Sequence, residues 1–369
     1  MLSKLFAFIE DFKVRQAYGI LRWIKSKQDA RAELIWYPIV LMLHLDESRE
    51  PLVERQSLIA FCEWIRFGTP SYTMCVLVER LESQDTEKYL DELEKCLKVQ
   101  ISESCINVHS LMVTFQDSGD LSETASAVIQ CTSIGALIPN TLVVNFPHFH
   151  NLWVRKNYND VTLYEFWKKI VTYERKCIAI CKGELWKIKP MSDVLTVDIW
   201  WVVEEDDILL LFMYLITNWR KFVDAKVRLF PVISKLETEE AESQMTEAIN
   251  ERVTRSLVVA EMSIQQVKEE TLSLYKGLRL GGAETTELGT IEESAAMPAK
   301  KRVRGKNELN AKMHEKSLAT DLIFVNVPKW NADWEPHPRK FFAFLGDLTE
   351  KLNQIVLIRP PAINYNIKK

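Results

Sequence analysis

The residues able to do chemistry are few. The acidic run Glu204-Glu205-Asp206-Asp207 stands between an aromatic, β-branched stretch and an apolar one, where carboxylates would meet the free N–H groups and positive end of a helix. Capping is the preferred role. Acid–base work or metal binding is the alternative, but no histidine or cysteine is near and the charges adjoin rather than converge. His148 and His150 flank Phe149 after a strand-like stretch, which would suit two metal ligands, and no third ligand accompanies them. Seven cysteines form no Cys-x-x-Cys pair, and Cys75, Cys177 and Cys181 lie in apolar patterns, as reduced core cysteines of a cytosolic protein do. Neither Gly-x-Gly-x-x-Gly nor a Walker loop is present. A phosphate cradle would need another turn, such as Gly68-Thr69-Pro70-Ser71, which reads more simply as a helix-to-strand turn. A hydrolase is disfavoured by the lack of a Gly-x-Ser-x-Gly elbow.

The elements that must position these groups centre on residues 195–233. Val197 to Val203 is β-branched and aromatic and predicts a buried strand, Ile208 to Trp219 predicts an apolar helix, and Val227 to Ile233 returns to strand. Strand, helix, strand is a βαβ unit, so a parallel sheet is expected.

Residues 2–24 place Leu2, Leu5, Phe6, Ile9 and Phe12 at helical spacing, with Glu10 and Asp11 interrupting any signal-peptide core; an amphipathic helix packed on protein is expected. From Pro38 the chain alternates strands and helices. Strands are predicted at 39–45, 74–78, 108–115, 141–145 and 177–181, with helices at 56–67, 86–100, 122–133 and 161–173 between them.

A second set follows Pro190, with strands at 198–203, 227–233, 257–262, 322–327 and 355–358. Thr141-Leu142-Val143-Val144-Asn145-Phe146-Pro147 recurs as Asp321-Leu322-Ile323-Phe324-Val325-Asn326-Val327-Pro328, and Trp153 and Trp334 each precede an aromatic-rich helix. The fold class is therefore α/β, with two tandem doubly wound five-stranded parallel-sheet subdomains. Their expected bounds are 38–190 and 191–369, after a connecting helix at 1–37. One crossover of the second half is about twice the usual length. It contains Gly277 to Lys306, with five of the eleven glycines, an acidic part and the basic cluster Lys300-Lys301-Arg302-Val303-Arg304. That composition cannot bury a core and predicts a disordered insertion. The basic cluster resembles a nuclear-import signal, though a solvated charge run is preferred.

At 369 residues, 47% hydrophobic and 27% charged, the chain is long enough for two cores. A net charge of −4 argues against nucleic acid as a partner. The longest apolar run, Ile208 to Ile216, is about half the ~18–20 residues that span a bilayer.

The order Val197-Asp198-Ile199-Trp200-Trp201, an acidic turn, an apolar helix near Trp219, and Lys226-Val227-Arg228-Leu229-Phe230 resembles the cytosolic C-terminal domain of the cation–chloride cotransporter family. Asp206 and Asp207 replace two glycines usual in that turn, which disfavours close backbone approach to a ligand. Pro38 to Glu47 is similar to the first strand of the potassium–chloride branch. Ile129-Gln130-Cys131, Gly135 and Asn140-Thr141 are similar to the stretch before the fourth strand, with Ser133 and Ala136 at usual glycine places. Val258 to Met262, Leu309-Asn310 and Lys316-Ser317 also look like that branch, while the end, Arg359-Pro360-Pro361 through Lys368-Lys369, departs from it.

The resemblance implies a universal-stress-protein-like fold and a non-enzymatic regulatory, dimerising domain beneath a membrane, with the family's ion pathway absent from this chain. It places regulatory phosphosites in the long crossover, where Thr285, Thr286, Thr290 and Ser294 are the candidate acceptors for regulatory kinases. Partners would be a second copy, through the second half near Trp330 and Trp334, and a cotransporter membrane domain. The alternative is a free-standing universal-stress-like nucleotide-binding protein. No cofactor is expected; any ATP or ADP binding should be weak and confined to the first half.

Overall fold

The computed structural model describes residues 38–46, 53–65, 72–79, 86–103, 108–116, 121–132, 138–146, 160–188, 194–202, 208–217, 219–232, 263–264, 308–327 and 338–361. The predicted N-terminal helix, the Glu204–Asp207 turn, His148 and His150, the Gly68–Ser71 turn, Trp330 and Trp334, and the Gly277–Lys306 insertion lie outside them. The chain divides into two compact units, Met1–Lys187 with Arg359–Lys369, and Ile188–Ile358.

In the first unit the β-rich runs form β1 (Val40–Asp46), β2 (Tyr72–Glu79), β3 (Val108–Gln116), β4 (Thr141–Asn145) and β5 (Cys177–Lys182). They pair in parallel in the order β3-β2-β1-β4-β5. Parallel neighbours need crossovers, supplied by α1 (Val53–Ile65), α2 (Thr86–Glu103), α3 (Leu121–Cys131) and α4 (Asp160–Thr172). Helix α1 buries Leu58, Phe61, Cys62 and Ile65 and packs against β1, β4 and β5. Ser57, also buried on α1, donates from Oγ to the Gly183 carbonyl at 2.8 Å and accepts from Leu185 N at 3.0 Å. The turn after β5 is thereby tied to the helix, and Gly183 takes the φ of 87° that a side chain would resist.

The second unit repeats the plan with β6 (Thr196–Val202), β7 (Lys226–Val232), β8 (Ser263–Ile264), β9 (Leu322–Asn326) and β10 (Ile355–Arg359). Their order is β8-β7-β6-β9-β10, again parallel, so each unit reads 3-2-1-4-5 in its own strand numbers. The described helices are α5 (Ile208–Thr217), α6 (Glu308–Ser317) and α7 (Pro338–Leu348). Helix α5 ends at Thr217, short of the predicted Trp219. The predicted strand at 257–262 lies outside the described residues, and β8 begins at Ser263.

The repetition extends to single atoms. Asn140, just before β4, accepts from Ile39 N at its Oδ1, 2.8 Å away, and returns a bond from its own N to the Ile39 carbonyl at 3.0 Å. Asp321, just before β9, accepts from Thr196 N at Oδ2, also 2.8 Å, and its N donates to the Thr196 carbonyl at 3.2 Å. Val40 then pairs with Thr141 as Val197 pairs with Leu322. Asn140 therefore corresponds to Asp321 and Asn145 to Asn326. In each unit the short polar side chain satisfies an N–H at the sheet margin that would otherwise lack a ladder partner.

Candidate functional site

Strand β6 is buried almost throughout, and amid its apolar residues stands Asp198, with 0% exposure. A carboxylate at such depth needs a partner of opposite charge. Register supplies one: Asp198 lies beside Arg228 of β7. Arg228 Nε donates to Asp198 Oδ1 at 2.7 Å and Nη2 donates to Oδ2 at 2.5 Å, the bidentate fork that suits guanidinium and carboxylate. The Arg228 side chain stays 22% exposed, so one edge of the pair reaches water.

Two residues along, on the same face, Trp200 lies beside Phe230, and the rings stack at 4.4 Å with 9° between planes. The Arg228 guanidinium lies 5.5 Å from the Phe230 centroid. Helix α6 meets this face with its last turn. Trp200 Nε1 donates to Ser317 Oγ at 3.0 Å, and Arg228 Nη2 donates to the Lys316 carbonyl at 2.9 Å, satisfying a helix-end carbonyl that has no intrahelical donor. Thr320 completes the set: its Oγ1 donates to Asp198 Oδ2 at 2.6 Å and accepts from Arg228 Nη2 at 2.8 Å. Asp198, Arg228, Thr320 and the Lys316 carbonyl thus form one clasp between the strand pair and the end of α6.

The start of α6 is held from another side. Leu309 is buried, and Asn310 Nδ2 donates to the carbonyls of Leu348 and Glu350 at 2.8 and 3.1 Å, beyond the end of α7. His314 Nε2 lies 3.1 Å from the Glu350 carbonyl, so the tautomer protonated there donates to it. Lys221 is near Asp321; burial pushes its amine below the ordinary value, and the Asp321 charge opposes that shift.

Most residues that carried the resemblance therefore have a structural duty. Asp198, Trp200, Arg228, Lys316 and Ser317 converge in the clasp; Trp201 is buried one position on and Lys226 is exposed at the start of β7. Asn140 is the brace of the first unit, Thr141 donates to it from Oγ1 at 2.9 Å, and Gln130 is exposed on α3. Gly135, Thr285, Thr286, Thr290 and Ser294 lie outside the described residues. Thr320 and Thr196 are the residues sequence reasoning passed over. The signal that pointed their way was a lone carboxylate inside a strand otherwise fit only for burial.

Asp198 and Arg228 sit near the amino ends of their strands. Doubly wound sheets receive ligands at the opposite, carboxyl ends. There, Asn326 Oδ1 accepts from Val202 N at 2.8 Å in the second unit, and His44 Nδ1 lies 3.4 Å from Asn145 Oδ1 in the first. Among the described residues no group of three or more histidine, cysteine or acidic side chains is placed to hold a metal. Cys75, Cys177 and Cys181 are buried as expected, and so is Cys62, while Cys96 and Cys131 are exposed. Burial pushes the Cys75 thiol up to about 12 and raises Cys62 and Cys181 as well, so none of the three is an ionised nucleophile at neutral pH.

The model of solute carrier family 12 matches residues 179–362. That segment takes in every described residue of the second unit and the whole clasp. Residues 179–362 are thus similar to solute carrier family 12. Relatives of the chain include "Potassium/chloride cotransporter 3" of Caenorhabditis elegans, 24% identical over 205 residues, which are 53% of this chain and 18% of the worm protein. "Cation-chloride cotransporter 1" of Arabidopsis thaliana is 26% identical over 114 residues, 30% of this chain and 11% of the plant protein. The chain thus spans less than a fifth of either relative. Solved structures similar to it include universal stress proteins from Pseudomonas aeruginosa, at 10% identity and a TM-score of 0.45 over 88% of this chain and 94% of that one, and from Archaeoglobus fulgidus, at 8% and 0.45 over 87% and 97%. Among the described residues, no helix is long and apolar enough to cross a membrane.

Proposed function

We propose that the chain is the cytosolic regulatory and dimerising domain of a cation–chloride cotransporter of the potassium–chloride kind, working beneath a membrane and without chemistry of its own. The observation that carries this reading is the solute carrier family 12 match over 179–362, which coincides with a folded unit whose resemblance-bearing residues interlock. The relatives named above are cotransporters, and that is the source of the substrate assignment, potassium with chloride. The domain's partners in this reading are a second copy and the membrane part of a transporter. Regulation would act on the Gly277–Lys306 crossover through Thr285, Thr286, Thr290 or Ser294. A phosphate there adds about −1.5 to −2 charges beside the basic cluster at 300–306.

Dimerisation is the part of the proposal open to the simplest experiment. Sedimentation of the purified chain at micromolar concentration should give a dimer, and the dimer should persist when the N-terminal 37 residues are removed. A strictly monomeric species over that range would remove the dimer from the account.

The second reading, a nucleotide-binding protein, is favoured by one feature: strand order reverses between β1 and β4 and between β6 and β9, the switch points where such sheets take ligands. Titration of ATP into the full chain separates the readings. The regulatory proposal expects weak binding or none; micromolar affinity would favour the nucleotide reading.

A further inference from the structure

Among the described residues, the clasp is present in one unit and has no counterpart in the other. Because Asn140 corresponds to Asp321 and Val40 to Val197, the positions of Asp198 and Arg228 are occupied in the first unit by the register partners Leu41 and Thr73. By the same register the stacked Trp200 and Phe230 correspond to Leu43 and Cys75. The first unit forms the same five-stranded order with Leu41 and Thr73 there. The fold therefore does not require an ion pair at this place. In the second unit the ion pair is also an attachment: three of the groups that close the clasp, the Lys316 carbonyl, Ser317 Oγ and Thr320 Oγ1, come from one stretch of five residues at and just beyond the end of α6.

Buried ion pairs are a poor source of net stability, because desolvation offsets most of their attraction, but they penalise every arrangement that leaves one partner alone. A clasp of this kind fixes position. We propose that Asp198, Arg228 and Thr320 form a releasable latch that sets the docked position of α6 on the β6–β7 face, and that the latch opens while the strands beneath it stay paired. Three features fit release rather than permanent cementing. The Arg228 side chain reaches water along one edge. Thr320, the hydroxyl that bridges carboxylate and guanidinium, is only half-buried, in the non-helical link between α6 and β9. Leu318, next to it, is 70% exposed, so this link is not anchored by its own apolar side chain. Helix α6 begins at Glu308, two residues beyond 306, so a latch here would set how the chain re-enters the second unit after that crossover. The inference stands on the geometry of the latch and needs no assumption about transport.

Amide hydrogen exchange on the full chain, followed peptide by peptide, tests it. Thr320→Val keeps the ion pair and the shape but removes the bridging hydroxyl. Exchange across 309–317 should then rise by at least about tenfold while β6, β7, β9 and the whole first unit keep their protection, the pattern of a local opening. Asp198→Leu with Arg228→Met, which removes both charges together, should show the same selective rise, larger in size. Arg228→Lys, which keeps the charge without the fork, should fall between wild type and the double variant. An increase spread evenly over 188–358 would make the cluster a general stabilising feature and overturn the proposal. So would unchanged exchange at 309–317 in Thr320→Val.

Discussion

Arg228 is the residue on which the clasp turns, since its fork meets Asp198, Thr320 and the Lys316 carbonyl at once. Removing it alone strands a fully buried carboxylate, and Arg228→Met should cost about 3–5 kcal/mol. Removing the pair as Asp198→Leu with Arg228→Met trades an ion pair for apolar contact and should change stability by less than about 1.5 kcal/mol in either direction. Urea unfolding of the three proteins measures both, and the large non-additivity between single and double variants is the expected result. A double variant as unstable as Arg228→Met would mean that the apolar replacements cannot pack against Trp200 and Phe230. Asp198 stood out in the sequence through the resemblance alone, though a charged residue between Val197 and Ile199 has no reason to be in a buried strand unless something meets it. Thr320 did not, because it is 122 positions away and nothing periodic in the sequence ties it to β6.

At the scale of elements, strand composition was the most legible feature, because a parallel strand buried on both faces is written as a continuous β-branched run. The strand at 141–145 matches the structure end to end, and the other predicted strands that fall on described residues match to within a few positions, the one at 257–262 lying outside them. Ends depend on hydrogen bonds rather than on hydrophobicity, which is why α5 stops at Thr217 before the apolar pattern does. The duplication was legible as a repeated strand-to-proline segment, although the structure aligns Asn140, not Thr141, with Asp321, since backbone pairing and not residue similarity sets the match. Two links just beyond helix ends carry a local conflict: Arg175 after α4 and Lys351 after α7 hold φ of 51° and 58°, a region where a side chain costs energy. Arg175→Gly and Lys351→Gly should each stabilise the chain by roughly 0.5–1 kcal/mol, the relief of that strain exceeding the added freedom of the unfolded chain. Thermal unfolding reads this as a rise in Tm; a fall at either position would show that the native side chain has contacts worth more than the strain.

For the molecule as a whole, two units share one topology, the clasp between strand pair and helix belongs to the second, and the crossover at 277–306 lies outside the described residues. Composition made that segment visible, as a run of glycines and opposite charges too polar to bury. The function of the assembly could not be read from the fold, because doubly wound sheets host many activities; it rests on the family of residues 179–362. The most direct test of that assignment is chloride-dependent potassium flux in cells expressing a potassium–chloride cotransporter whose own cytosolic C-terminal domain has been replaced by this chain, with and without residues 283–304. The account predicts that the intact chimaera carries flux that responds to cell swelling and that the deletion alters the response while flux remains. A chimaera that reaches the cell surface but carries no chloride-dependent flux would contradict it.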